Sequence, residues 1–266
     1  MAKIGFIGVG NMGGALATAA CKKVSGNEIL VSALHAERAE KFAHEHGVTA
    51  STNERIAKEA KFIMLGVKPQ YMDEVVGEVR ALLEKRTDAV LVSMAAGLSI
   101  EHIASLVGGD YPVIRIMPNT PSSVGRGMTL YEVNDQVQEA DLAEFLDLMS
   151  GAGAFDHVPE KLIDAGSVVA GCGPAFLCLV AEAMADGGVA CGLPRDKALT
   201  YAVEAMAGTA ELLRQTGMHP GQLKDNVCSP GGTTIQGVRA LKKGGLESSM
   251  MEAILAAYEK NKEFIK

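Results

Sequence analysis

From the start of the chain to Met117, short apolar runs alternate with stretches of helical period. The apolar runs are Lys3–Gly8, Glu28–Ser32, Lys61–Val67, Asp88–Ser93 and Tyr111–Met117, and the helical stretches between them include Met12–Val24, Glu37–His46 and Gln70–Glu84. This βαβα rhythm predicts an α/β fold, a doubly wound and mostly parallel sheet covered by helices on both faces. A strand near Met128–Val133, a helix over Asp135–Met149 and a strand near Ala154–Val158 complete the unit. After that the alternating pattern stops. From Glu160 to Lys266 only helical period remains, in four or five stretches that include Asp196–Thr216, with its Ala-rich face, and Leu246–Phe264. A boundary near Pro159 therefore divides an α/β domain, residues 1–159, from an all-α domain, residues 160–266.

Composition narrows the class. The chain has 266 residues, 48% of them hydrophobic, which is enough apolar material for a packed core. Twenty-five Lys+Arg against 32 Asp+Glu gives a net charge of -7, and no basic block interrupts it, so nucleic acid is not the expected partner. Ala165–Ala181 is uncharged over 17 residues but holds Gly166, Gly171, Gly173 and Pro174. A membrane span needs about 20 mostly apolar residues, so the expected element is a buried helix with an interrupted start and no membrane partner. Lys3 leads directly into a strand-like run without the long apolar segment of a signal peptide, so a cytoplasmic location is expected. The five cysteines form no Cys-x-x-Cys pair, which favours free thiols. His44 and His46 are two apart and point to different helix faces, so no metal site is expected.

Candidate chemistry begins at Gly8-Val9-Gly10-Asn11-Met12-Gly13, a G-x-G-x-x-G element that ends the first strand and opens a helix. The simplest reading is a tight βα turn. In a Rossmann-like context the same glycines also admit a dinucleotide: one for the turn, one for close approach of the pyrophosphate, one for helix–strand packing. The second strand ends at Ser32-Ala33-Leu34-His35 with no acid before Glu37, where an NAD site places one to bind the ribose. Ser32, His35 and Arg38 instead suit a 2′-phosphate, which favours NADPH and leaves NADH possible; plain capping by Ser32 and a solvated Arg38 is the blander alternative. Two later strand ends, Gly66-Val67-Lys68-Pro69 and Ser93-Met94-Ala95-Ala96-Gly97, fall where open sheets bind ligands. Lys68 suits a cofactor role better than a catalytic one. The small residues after Ser93 leave room for a flat ring, or for close helix packing.

In the helical half, Ser229-Pro230-Gly231-Gly232-Thr233-Thr234 breaks one helix and starts the next. Unpaired N–H groups and hydroxyls at such a helix start suit a carboxylate, whether or not the same residues also serve as caps.

Taken together, Ile7–Gly13, Val67–Gln70, Ser93–Gly97, Arg115–Pro121, Gly173–Ala175, Ala185–Gly188 and His219–Val227 leading into Ser229–Thr234 resemble the pyrroline-5-carboxylate reductase family over essentially the whole chain. The last run is the specific part. The resemblance implies hydride transfer from NAD(P)H to the C=N carbon of L-1-pyrroline-5-carboxylate, giving L-proline. It implies that backbone groups near Gly232 and Thr233 bind the substrate carboxylate, that the Thr234 hydroxyl faces the ring nitrogen, and that Glu160 lies near proline. It places Asn226 and Asn53 on the cofactor, Asn53 on the adenine side, with Met94, Ala95 and Ala96 under the nicotinamide. It further implies interlocked helical domains in a homodimer or a ring of dimers. Cys172 and Phe176 depart from the Ser and Tyr common in relatives, a local packing difference.

Hydride transfer to an imine asks mainly for position and charge control, since the cofactor carries the chemistry. No histidine or carboxylate stands beside the Thr-Thr start as a general acid, so Thr234, the candidate catalytic residue, reads as a hydrogen-bonding positioner or relay rather than a proton reservoir. Two other readings stay open. One is another NADP-dependent imine or 3-hydroxyacid oxidoreductase of the same build, although no lysine in the helical half stands out as the base that hydroxyacid chemistry needs. The other is an NADP-binding protein without catalysis.

Overall fold

The structure, a computed structural model, describes residues 2–263. Strands β1 (Ala2–Ile7), β2 (Ile29–Ser32), β3 (Thr49–Ala50), β4 (Ala60–Leu65), β5 (Val90–Ser93), β6 (Val113–Met117), β7 (Gly127–Val133) and β8 (Gly153–His157) form one sheet. Its order is β3-β2-β1-β4-β5-β6-β7-β8. The first six strands run parallel, β7 is antiparallel to β6, and β8 is parallel to β7. Helices α1 (Asn11–Ala20), α2 (Ala36–His46), α3 (Asn53–Glu59), α4 (Met72–Leu83), α5 (Ile100–Ser105) and α6 (Glu139–Met149) accompany the strands. This is the expected Rossmann-like arrangement.

The central strands are predominantly apolar on both faces because helices cover the two sides of the sheet. In β4, Phe62 and Met64 join the core that includes Leu16 of α1 and Phe145 of α6. Ile63 and Leu65 point the other way, into the core with Ile56 of α3, Val76 of α4 and Ile103 of α5. The elements that periodicity did not reveal, β3, α3 and α5, are too short to show a period. The helix expected from Asp135 begins only at Glu139. Asn134 explains the delay: its side chain accepts from Val113 N at 3.0 Å and donates to Tyr111 O at 2.8 Å, fixing a turn.

From Glu160 the described residues are helical, with six α-helices among them where four or five were expected: α7 (Glu160–Ser167), α8 (Gly173–Ala190), α9 (Arg195–Thr216), α10 (Pro220–Val227), α11 (Thr233–Lys243) and α12 (Leu246–Lys262). Phe264, the expected end of the last helix, lies outside the described residues. A π-helical turn, Val168–Cys172, joins α7 to α8, so the glycines there widen the helix without breaking it. The chain divides into two compact units: residues up to Gly171 with the chain end from Ala257, and Cys172–Ala256.

The second unit corrects one expectation. The Ala165–Ala181 segment is not a buried helix in the single chain: Val169, Leu177 and Leu179 are exposed. Among the described residues of the second unit, the buried hydrophobic side chains are Ala181 and Ala185 of α8 with Ala198 and Ala202 of α9. Small side chains at i and i+4 let these two helices approach closely; a Cβ on Gly188 would lie 3.0 Å from that of Ala198. The outward faces remain apolar, and the helical run Glu160–Ala190 is long and apolar enough to cross a membrane by length and composition alone.

Candidate active site

The ends of β2, β1, β4 and β5 fall on one line, because Ile7 pairs with both Ser32 and Leu65, and Leu65 pairs with Ser93. The loops that follow share the carboxyl edge of the sheet, where ligands of doubly wound folds bind. At the centre, Gly8 and Val9 donate their N–H groups to Ser32 O at 3.0 and 3.1 Å. Gly8 has a φ of 101°, open to glycine at no steric cost. A Cβ on Gly13 would lie 2.1 Å from Gly8 O, and one on Gly66 would lie 2.4 Å from the same oxygen. These three glycines interlock the backbone of two adjacent strand ends.

Gly10 is different. A Cβ there would meet nothing within 4 Å, and its φ of -73° suits any residue. No protein contact demands a glycine, so the space is available to a ligand that approaches the backbone. Gly10 is also the N-cap of α1, with no side-chain cap and no acid in the first turn. Exposed N–H groups and the positive helix end suit a diphosphate, so the residues present fit a dinucleotide. Asn11 is exposed and Met12 half-buried at the same start, while Val9 packs into the core.

Around this centre, Ser32 is buried and its hydroxyl donates to Asn53 Oδ1 at 2.7 Å. Asn53 Nδ2 in turn donates to Glu78 Oε2 at 3.3 Å. Ser32 thus orients Asn53 from below rather than presenting an open hydroxyl. Ala33 is half-buried, whereas His35 and Arg38 are exposed. Val67 and Pro69 are half-buried and Lys68 is exposed. Ala95 is buried between the half-buried Met94 and Ala96, and its N–H donates to Ser93 Oγ at 3.4 Å.

In the second unit, Gly232 N donates to Ser229 O at 3.0 Å and Gly231 has a φ of 70°, which closes a tight corner after α10. A Cβ on Gly232 would lie 2.3 Å from Ser229 Oγ, a hydroxyl that can rotate aside, and 3.2 Å from Ser229 O, so the corner is tight at that glycine. Gly232 caps α11 without a side-chain bond, and the first turn again carries no acid. Thr233 and Thr234 are exposed at this start. Asn226 is exposed on α10, with Nδ2 3.7 Å from Met218 Sδ.

Glu160 is engaged differently from a free substrate ligand. Its Oε1 accepts from Ile100 N at 2.7 Å and from Arg115 Nη1 at 3.0 Å. Arg115 Nη2 also donates to Asp164 Oδ1 at 3.1 Å, and Arg115 is only 3% exposed. Sequence reading passed over Arg115 as part of a longer motif. The signal was present: a cation in the apolar run Val113-Ile114-Arg115-Ile116 must find carboxylates if the strand is buried on both faces.

Comparison with known proteins decides the family. A family described as pyrroline-5-carboxylate reductase dimerisation matches residues 160–264, and one described as NADP oxidoreductase, coenzyme F420-dependent, matches residues 3–97. Pyrroline-5-carboxylate reductase of Glycine max is 39% identical over 98% of this chain and 95% of its own length. The chain belongs to the pyrroline-5-carboxylate reductase family. The Escherichia coli (strain K12) family member is 38% identical over 99% of this chain and 98% of its own. Among solved structures, the Plasmodium falciparum pyrroline carboxylate reductase with NADP bound has a TM-score of 0.89 at 29% identity, covering 100% of this chain and 98% of that one. The Coxiella burnetii pyrroline-5-carboxylate reductase reaches 0.91 at 29%, covering 100% and 99%. Membership in the pyrroline-5-carboxylate reductase family, with the NADP oxidoreductase match over residues 3–97, brings a nicotinamide cofactor. It also gives residues 160–264 a role in self-association.

Proposed function

We propose that this chain, an oxidoreductase of its family, reduces L-1-pyrroline-5-carboxylate to L-proline, the last step of proline biosynthesis, with NADPH preferred over NADH. The observation that carries this reading is a pair of uncapped, acid-free helix starts, α1 after Gly10 and α11 after Gly232. One suits a diphosphate and the other a carboxylate. Residues 1–159 form the cofactor domain and residues 160–266 the substrate and dimerisation domain.

When bound, NADPH supplies the hydride that reaches the C=N carbon. Gly8, Val9, Gly10, Asn11, Met12 and Gly13 hold its diphosphate. Asn53, oriented by Ser32, takes the adenine side. Ala33, His35 and Arg38 meet the 2′-phosphate, and Arg38→Ala is expected to raise KM for NADPH while leaving KM for NADH unchanged. Gly66, Val67, Lys68 and Pro69 flank the cofactor, Met94, Ala95 and Ala96 support the nicotinamide, and Asn226 is a further cofactor-binding residue. The backbone N–H groups of Gly232 and Thr233 bind the substrate carboxylate. Thr234 Oγ1 holds the ring nitrogen, which is already protonated and leaves the carbon electrophilic without an enzymatic acid. Glu160 enters the substrate region through the contacts described above.

The main catalytic term would then be proximity, with the residues named above holding the imine and the cofactor together. Removal of one positioned hydrogen bond by Thr234→Ala is expected to lower kcat/KM by about 1–3 kcal/mol in a folded enzyme. A loss of many more decades would give Thr234 a proton-transfer role.

The helical domain joins two copies into a cytoplasmic homodimer, or a ring of such dimers, with neither nucleic acid nor a membrane as partner. The deciding assay is oxidation of NADPH, followed by its absorbance, on adding pyrroline-5-carboxylate. Binding of NADPH without turnover leaves a binding protein in place of an enzyme.

A further inference from the structure

The segment between Ser93 and Ile100 is a local turn at Ala96 and Gly97, where Gly97 has a φ of 75°, so where that turn stands depends on its two ends and on side-chain packing. Ala95 and Leu98 supply the packing, at the margin of the core. The first end is Ser93, which pairs in register with Arg115 on β6. The second end is Ile100, the first residue of α5, whose N–H is held by Glu160 Oε1 at 2.7 Å. This helix already has an ordinary cap, since Ser99 Oγ accepts from His102 N at 3.1 Å. The bond from Glu160, 60 residues further along the chain, is an additional tie from a distant element. Glu160 is itself held by Arg115 Nη1, and Arg115 by Asp164. The Ser93 end is thus held by the backbone ladder with β6, and the Ile100 end is referred through Glu160 to the buried Arg115 guanidinium.

We infer that Arg115 and Glu160 are positioning residues for hydride transfer: the pair anchors the Ile100 end of the Ser93–Ile100 segment, whose other end is fixed in the sheet, and so sets the surface against which the nicotinamide lies. This rests on the proposed placement of Met94, Ala95 and Ala96 under that ring. It changes the role of Glu160 from a direct substrate contact to one exerted through the backbone of the segment. Arg115 is nearly inaccessible, and both of its carboxylate partners lie on α7, so a shift of that helix start is passed to the segment.

Glu160→Ala removes both bonds of Oε1. The expected result is a fall in kcat of about 10- to 100-fold, the scale on which small misplacement acts, with KM for the imine unchanged. Hydrogen exchange at the amides of Leu98 to Ala104 is expected to accelerate in the substrate-free protein. Glu160→Gln keeps an oxygen that accepts from Ile100 N and Arg115, and is expected to retain most of kcat. If the alanine variant does not fold, Glu160→Asp carries the test, because a side chain one methylene shorter cannot reach both donors. A raised KM with unchanged kcat would make Glu160 a substrate contact and overturn the proposal, as would unchanged kcat or unchanged exchange. A wild-type protein that fails to oxidise NADPH with the imine sinks the proposed function instead, and the exchange measurement still reports on the anchor.

Discussion

Alanine at Gly10 is expected to leave folding intact and to abolish tight NADPH binding, whereas alanine at Gly13 is expected to damage the fold itself. The two glycines are three residues apart in one motif, yet their surroundings are opposite. A Cβ at Gly13 would press on the carbonyl of Gly8 at 2.1 Å, and a backbone atom cannot swing aside as a side chain can. Overpacking of this kind costs about 3 kcal/mol or more, a large share of a domain's stability. A Cβ at Gly10 would meet no protein atom, and the backbone there is one that alanine adopts freely. Its effect on stability should stay within about 1 kcal/mol. The methyl group would stand in the space through which a diphosphate reaches the α1 N–H groups. Loss of roughly 2–3 kcal/mol of that interaction raises the Kd for NADPH by about 30- to 150-fold. Thermal melting and fluorescence titration of NADPH separate the two variants. Normal NADPH affinity in the Gly10 variant would remove the case for that site.

A glutamate at Leu179 is expected to dissociate the protein into single chains and to lower its melting temperature sharply. In the isolated chain Leu179 is 65% exposed, and a charge at such a position should change stability by no more than about 0.5 kcal/mol. The rest of the second unit argues otherwise. Four buried alanines cannot offset the entropy of ordering its helices, while Leu177, Met184, Leu199, Tyr201, Met251 and Leu255 all stand open. In the proposed dimer these side chains are the candidates to supply the missing core against a second copy. Leu179→Glu then buries an unpaired charge, at a cost of about 3–5 kcal/mol. Sedimentation and the concentration dependence of melting read this directly. A variant with wild-type oligomeric state and melting temperature would place the interface elsewhere.

The sheet was legible because its strands are buried on both faces and read as continuous apolar runs. The β4 run Phe62-Ile63-Met64-Leu65 serves two cores at once and could not be mistaken for a half-exposed strand. The elements that went unread were short, such as α5, or were delayed by one side chain, as Asn134 delays α6. In the candidate site, the glycine motif and the Ser229–Thr234 corner were visible because turn chemistry is local. Their neighbours in sequence reveal the conformation they need. The inward turn of Ser32 toward Asn53 and the capture of Glu160 by Arg115 join residues 21 and 45 positions apart. Local pattern carries no record of such pairs.

The sequence by itself determined the doubly wound sheet, the helical second half, the nucleotide motif and the family, since each depends on periodicity or on contiguous residues. Only the tertiary structure separated the glycines the fold requires, Gly8, Gly13 and Gly66, from Gly10, which the fold leaves free. It alone showed that the long apolar helix from Glu160 to Ala190 is mostly uncovered within one chain. The physical reason is the same in both cases. What a residue is for depends on which atoms stand opposite it, and that is settled by packing between distant segments.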